Sequence, residues 1–184
     1  MLFRSGTQDG IINSNHQSEP VGRIFRIRKD WKTADLRDDA AELNSKARDQ
    51  VTDGEIAAVR SQYLSDWLDW PADKGAPYYE KNGVPGYQPN SNGEVNSTDD
   101  EPGFANGDQV VWFACNDLNS GLTSGLYGSP PIGLELQVTL WGYARTDALG
   151  YVIFKRFKFI YTGTANTPNN SDRKSTRLNS SHVS

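Results

Sequence analysis

The chain has 184 residues, 36% hydrophobic and 11% aromatic, which is enough for one domain with a buried core. A net charge of -4 argues against a nucleic-acid partner, because gripping a phosphate backbone needs clustered Lys and Arg. One Cys and two His exclude most metal and nucleophile chemistry, and no apolar run is long enough for a transmembrane helix.

Residues 1 to 20 are polar and rich in Gly, Asn and Ser, which predicts irregular chain without the apolar stretch of a secretory signal. From Val21 to Arg28 the sequence predicts a strand, with Val21, Phe25 and Ile27 on one parity and Arg26 and Arg28 on the other. Leu36, Ala40, Leu43 and Ala47 then recur at helical spacing among charged residues, predicting a surface helix over about 35–48 with a thin apolar stripe. Thr52-Asp-Gly-Glu55 has the form in which hydroxyl and carboxylate satisfy each other's orphan amides at a helix start. Ile56, Val59, Tyr63, Trp67 and Trp70 follow on one face, and Pro71 should end the helix, giving a span of about 54–70.

Between Pro71 and Asp108, Gly and Pro are frequent and aliphatic side chains are scarce, so 71–107 reads as one long loop. Loops of that length inside a domain tend to be functional, ion-bound or mobile, which makes this the first place to look for a site. Gln109 to Cys115 is apolar on both parities, as in a central strand covered on both faces. A Gly/Ser/Pro stretch over 119–131 leads into 132–143, where Leu134, Leu136, Val138 and Leu140 alternate with Glu135, Gln137 and Thr139. Arg145 to Gly150 reads as a turn into an aromatic, β-branched strand over 151–161, and the two strands make a hairpin. The whole predicts a mainly β fold: an antiparallel sheet, sandwich-like, with one or two helices packed on it.

At the C-terminus, Asp172-Arg-Lys-Ser-Thr-Arg-Leu-Asn-Ser-Ser-His182 matches, codon for codon, one reading of a sequencing-library adapter. Residues 171–184 are therefore expected to be an artefactual, disordered tail, and 1–170 a fragment of a β-rich extracellular module, an incomplete domain.

Residue types narrow the chemistry. His16 lies in a polar segment without a nucleophile-elbow motif, and Cys115 sits in the most apolar strand, where cysteine behaves as a small hydrophobe. Carboxylates remain. Asp99, Asp100 and Glu101 are contiguous, Glu80, Glu94 and Asp108 share their loop, and Asp117 lies just past the next strand. They could hold Ca²⁺, supply a glycosidase-like pair of acids, or simply form a solvated acidic loop. Among the aromatics, Trp141 and Tyr143 fall on the parity opposite the aliphatic face of their strand, as a sugar-stacking pair or as packing beneath a helix or second sheet.

Several segments together resemble a known family. They include Arg23-Ile-Phe-Arg-Ile-Arg-Lys-Asp-Trp31, Lys74-Gly-Ala-Pro-Tyr-Tyr79, Asp100-Glu-Pro-Gly103, Asp108-Gln-Val-Val-Trp112, Leu126-Tyr-Gly-Ser-Pro-Pro-Ile-Gly-Leu-Glu135 and Arg145-Thr-Asp-Ala-Leu-Gly150. The chain is similar, over residues 2 to 170, to large secreted bacterial proteins that end in a type IX secretion sorting domain. The resemblance implies export to the extracellular space or outer cell surface, and flanking regions of the same polypeptide at both ends. It also implies a cysteine downstream that could pair with Cys115. The family's acidic, calcium-style loop aligns on Glu80 to Pro89, where Glu80 and Asn82 keep oxygen ligands while Val84 and Gln88 replace acids and Pro85 replaces the turn glycine. A calcium site would then draw on Glu80, Asn82, Asp99 and Asp100. No enzymatic role comes with the likeness. The expected function is a non-catalytic extracellular module, structural, adhesive or ligand-binding, with a glycan or a surface protein as partner and Trp141 and Tyr143 as contact residues. The alternative is a hydrolase using acids of the 80–117 region.

Overall fold

A computed structural model of the chain describes residues 6–166 and a strand at 178–183. Its frame is a six-stranded antiparallel sheet made of β1 (Gln8–Asp9), β4 (Phe25–Arg28), β7 (Gln109–Asn116), β8 (Leu134–Gly142), β9 (Phe154–Tyr161) and β10 (Leu178–Val183). The protein is mainly β, with three α-helices among the described residues: α1 (Arg37–Asn44), α2 (Asp53–Leu68) and α3 (Ser120–Tyr127). Two short ribbons complete it, β2 (Ile11–Ile12) with β3 (Ser18–Glu19), and β5 (Tyr78–Tyr79) with β6 (Glu101–Pro102). Among the described residues no helix is long and apolar enough to cross a membrane.

The strand expected to be central is central. β7 has β8 along one side, while β4 and β1 share its other side, Phe25 opposite Trp112 and Asp9 opposite Cys115. Period two puts Val110, Trp112 and Ala114 on one face, beside Phe25 and Ile27 of β4. Trp67 and Trp70, at and beyond the end of α2, pack against that face and close the main core. A second cluster, Leu36, Ala40, Val51 and Val59, fastens α1 to α2.

In β8 the leucines do not lie beneath this cover. Register pairs Trp112 with Thr139, Ala114 with Gln137 and Asn116 with Glu135, so the polar parity shares the covered face. Glu135, Gln137 and Thr139 are buried, and Leu134, Leu136 and Leu140 are half-buried on the other side. Buried polar groups need partners, and these have them: Glu135 Oε2 accepts from Ile12 N at 2.7 Å, and Gln137 Nε2 donates to Glu135 Oε1 at 2.7 Å and to the Lys74 carbonyl at 3.0 Å.

The helices differ from expectation at their ends. The first ends at Asn44 rather than near 48, because Ser45 takes a left-handed conformation (φ 52°) and Lys46 N turns back to the Ala41 carbonyl at 2.9 Å. The second starts as predicted: Thr52 Oγ1 accepts from Glu55 N at 3.3 Å, and Glu55 Oε2 accepts from Thr52 N at 2.9 Å. Thr52→Ala should cost about 1 kcal/mol of stability, read as a lower urea midpoint with an unchanged slope. α3 was not anticipated, because the stretch 119–131 is dominated by loop-forming residues. Its boundaries are nonetheless written locally: Asn119 Oδ1 accepts from Leu122 N at 3.1 Å, and Gly128 closes it at φ 67°.

The long segment 71–107 is a fitted cover over the sheet. Trp70 Nε1 donates to the Pro77 carbonyl at 2.7 Å, Tyr87 OH to the Trp67 carbonyl at 2.8 Å, and Trp31 Nε1 to the Gly93 carbonyl at 2.8 Å. Buried Glu101 lies between the ammonium groups of Lys29, at 2.9 Å, and Lys81. Apart from the Trp70–Pro77 bond these tethers span 20 or more residues, which is why composition reads the segment as free loop.

Six residues of the predicted tail are placed as a strand. Leu178–Val183 pairs antiparallel with β9, Leu178 opposite Phe159 and Val183 opposite Phe154. A sheet edge presents unpaired N–H and C=O groups to any extended chain within reach, and β9 offers such an edge. Residues 167–177 and 184, on which the rest of the tail reading falls, lie outside the described residues.

Candidate ligand-binding cleft

At the open end of the β8–β9 hairpin, the chain leaves β8 at Gly142, turns through Tyr143 to Tyr151 and returns into β9. Asp147 organises this turn, because its carboxylate accepts from Leu149 N at 3.2 Å and its carbonyl from Gly150 N at 2.9 Å. Gly150 is required here: a Cβ would sit 2.0 Å from the Arg145 carbonyl oxygen. Arg145 forks onto Asp147, Nε to Oδ1 at 3.0 Å and NH2 to Oδ2 at 2.5 Å, and this pairing lowers the pKa of the aspartate and raises that of the arginine.

Opposite the turn lies the end of the long loop, where Asp108 leads into β7. Asp108 N donates to the Gly142 carbonyl at 3.1 Å, its own carbonyl accepts from Lys29 N at 2.9 Å, and Oδ2 accepts from Ala144 N at 2.8 Å. Three chain segments thus meet at one residue, held by its main chain and by Oδ2, while Oδ1 takes part in none of these bonds. Between turn and loop is an open cavity of about 530 Å³ lined by Asn106, Asp108, Tyr143, Arg145, Leu149 and Phe154, among others. A smaller cavity of about 240 Å³ adjoins it and shares Asp108 and Tyr143.

The two aromatics singled out from the sequence part company. Trp141 is packed between Phe104, edge-on at a centroid distance of 4.8 Å, and Phe154, stacked at 5.4 Å with an interplanar angle of 16°. Its Nε1 donates to Tyr143 OH at 3.2 Å, so Trp141 positions Tyr143 from behind. Tyr143 meets Phe154 edge-on at 5.4 Å and lines the cavity.

Of the four residues proposed for calcium, Asn82 and Asp100 meet, Asn82 Nδ2 donating to Asp100 Oδ2 at 3.5 Å. Glu80 is exposed, Asn82 Oδ1 accepts from Val84 N at 2.8 Å, and Asp99 Oδ2 accepts from the side-chain amides of Asn90 and Asn96 at 3.2 and 2.6 Å. Asp100 accepts from the main-chain amides of Lys81 at 2.8 Å and Gln88 at 2.9 Å. These oxygens face N–H donors, and the positive charge in the loop is supplied by Lys81. Among the described residues no three His, Cys, Asp or Glu side chains are grouped so as to hold a metal ion.

Other acids of the 80–117 region are similarly engaged. Asp117 takes the amides of Ile132, Gly133 and Leu134 at 2.8, 3.1 and 2.8 Å, and Glu101 is held by two lysines. Asp108 is the acid of that region that lines the larger cavity. Cys115 is a buried free thiol, and burial pushes its pKa up. His16 sits in the β2–β3 turn at φ 57°, its Nδ1 buried without a hydrogen-bond partner.

Sequence reasoning missed Asn106, Asp108 and Arg145 as neighbours of Tyr143. The one local signal is the Asn106-Gly107-Asp108 turn before a strand, and nothing in it announces the hairpin turn some 35 residues on that completes the cavity. Comparison of the chain with protein-family models, with curated proteins and with solved structures gives no match.

Proposed function

We propose that this chain is a non-catalytic, glycan-binding module of a secreted or cell-surface protein, and that the cleft around Tyr143 is where it binds. The observation that carries the reading is the meeting of a cavity-lining aromatic ring, Tyr143, with an amide and a carboxylate, Asn106 and Asp108, in one open cavity of about 530 Å³. Sugars present C–H faces that stack on aromatic rings and hydroxyls that pair with amide and carboxylate oxygens. An open cleft suits an extended chain of such units rather than a small molecule enclosed on all sides. The hydrolase alternative requires two acids across a cleft, and the acids at 80–117 supply Asp108 alone to this one.

Tyr143→Ala and Asn106→Ala should each abolish glycan-array signal while melting temperature changes little, because neither side chain belongs to the buried core. Trp141→Ala should weaken binding and also lower the melting temperature, since its ring is packed between Phe104 and Phe154. Glycan binding that survives Tyr143→Ala unchanged would dismiss this cleft.

A further inference from the structure

A separate cavity, of about 380 Å³, lies where α2 ends and shares no lining residue with the cleft around Tyr143. Three aromatic rings, Trp70, Tyr78 and Tyr87, line it together with Leu68 and the carboxylates of Asp69 and Asp73. The rings are fixed. Trp70 Nε1 donates to the Pro77 carbonyl at 2.7 Å, Tyr87 OH donates to the Trp67 carbonyl at 2.8 Å, and Tyr78 meets Tyr87 at a centroid distance of 5.6 Å and an angle of 61°. At that angle the two tyrosines form adjacent walls rather than a stack. Asp69 and Asp73 are exposed; Asp69 Oδ2 accepts from Arg23 at 3.1 Å and from Ser65 Oγ at 3.0 Å, while Asp73 takes part in no ion pair among the described residues. Of the neighbouring cations, Arg23 is turned onto Asp66 and Asp69, and Lys74 onto Glu19 at 3.1 Å and the Pro20 carbonyl at 2.9 Å. The last turn of α2 contains no basic residue, and a helix C-terminus carries partial negative charge. Among the described residues no amide or basic side chain lines the cavity, in contrast to the cleft around Tyr143.

We propose that this cavity binds a quaternary ammonium group of the choline type, held by cation–π contact with the three rings and selected for its charge by Asp69 and Asp73. Aromatic faces present the negative part of the ring quadrupole, so rings and carboxylates together favour a cation. A primary ammonium brings three N–H donors that each need an acceptor, and walls of ring and aliphatic carbon supply few. A quaternary ammonium has no donor to leave unsatisfied, and its methyl groups can rest on the rings. The site is independent of the glycan-binding cleft and stands or falls without it.

The test titrates choline chloride into the full chain and follows the Trp70 indole N–H by NMR, where a saturable shift with a Kd on the order of 1 mM is expected. The neutral isostere dimethylbutanol, with carbon in place of the charged nitrogen, should bind about tenfold more weakly. Tyr78→Leu keeps an apolar wall but removes the quadrupole, and should weaken choline roughly fivefold while leaving the isostere nearly unchanged. Asp73→Lys alters only an exposed position and should weaken choline by about as much, with the dispersion of the spectrum retained. Tyr143→Ala should leave choline binding as it is. Vesicles of phosphatidylcholine separate two sources of the group. Co-sedimentation that Tyr78→Leu abolishes assigns it to a lipid headgroup, choline binding without co-sedimentation assigns it to a soluble ligand, and either result upholds the site. Equal affinity for choline and dimethylbutanol would overturn the proposal, because the cavity would then select apolar bulk and not charge. So would choline affinity that both Tyr78→Leu and Asp73→Lys leave unchanged, or a choline titration without a saturable shift.

Discussion

Asp66→Ala is expected to destabilise the fold by about 3 kcal/mol at neutral pH, the low end of what removing one partner from a buried ion pair costs. Asp66 is fully buried on the inner side of α2, and three donors converge on it: Arg23 Nε at 2.7 Å, Gln62 Nε2 at 2.8 Å and the Arg26 main-chain amide at 2.9 Å. Alanine would leave each of these without its acceptor. Arg23 is partly exposed and also reaches Asp69 and Ser65 Oγ, both at 3.1 Å, so it can recover part of its solvation. The Arg26 amide has no such recourse, because it belongs to β4 beneath the helix, and an unsatisfied buried amide carries a desolvation penalty of about 1–3 kcal/mol. Asp66→Asn keeps one acceptor oxygen and should cost about half as much. Urea unfolding at pH 7 decides the matter, and a loss below about 1 kcal/mol for Asp66→Ala would mean that the helix–sheet junction is held by the tryptophans alone.

That junction shows how far the sequence could be read. The alternation of Phe25 and Ile27 placed the buried face of β4 correctly, and the box at Thr52 placed the start of α2, because both signals depend on neighbours within a few residues. The role of Asp66 could not be read the same way, since its donors Arg23 and Arg26 are 43 and 40 positions away and the motif around it is an ordinary polar helix face. The same limit explains β8. Its alternation was legible, but which parity would be covered depended on register with β7, which is apolar on both parities and so gives no local instruction. The tryptophans at the end of α2 and the cover formed by 71–107 chose the face of Val110 and Trp112, and with it buried Glu135, Gln137 and Thr139. For the cleft, parity correctly separated Tyr143 from the aliphatic face, while the partition of roles between Tyr143 and Trp141 came from Phe104 and Phe154, distant in sequence.

The second large effect concerns the cover itself. Asp100→Ala should cost about 2–4 kcal/mol, because one buried carboxylate closes the loop by accepting from Lys81 N, Gln88 N and Asn82 N at 2.8, 2.9 and 3.4 Å. Burial by itself would raise the pKa of Asp100, but the three amides and the nearby Lys81 charge outweigh it and hold the carboxyl below its ordinary value. A folded-state pKa that is depressed contributes stability above the unfolded value of about 3.9, and that contribution is lost as pH falls through the folded value. Glu135 runs the other way. Burial raises its pKa against the opposing pull of the Ile12 amide, Gln137 and Lys158, so its share of stability is greatest when protonated and declines as pH rises from about 4.3 toward the folded value. The urea midpoint followed from pH 2 to pH 8 should therefore carry two separable slopes, Asp100→Asn flattening the acid limb and Glu135→Gln the decline above it. An acid limb that keeps its steepness in Asp100→Asn would show that Asp100 does not carry it.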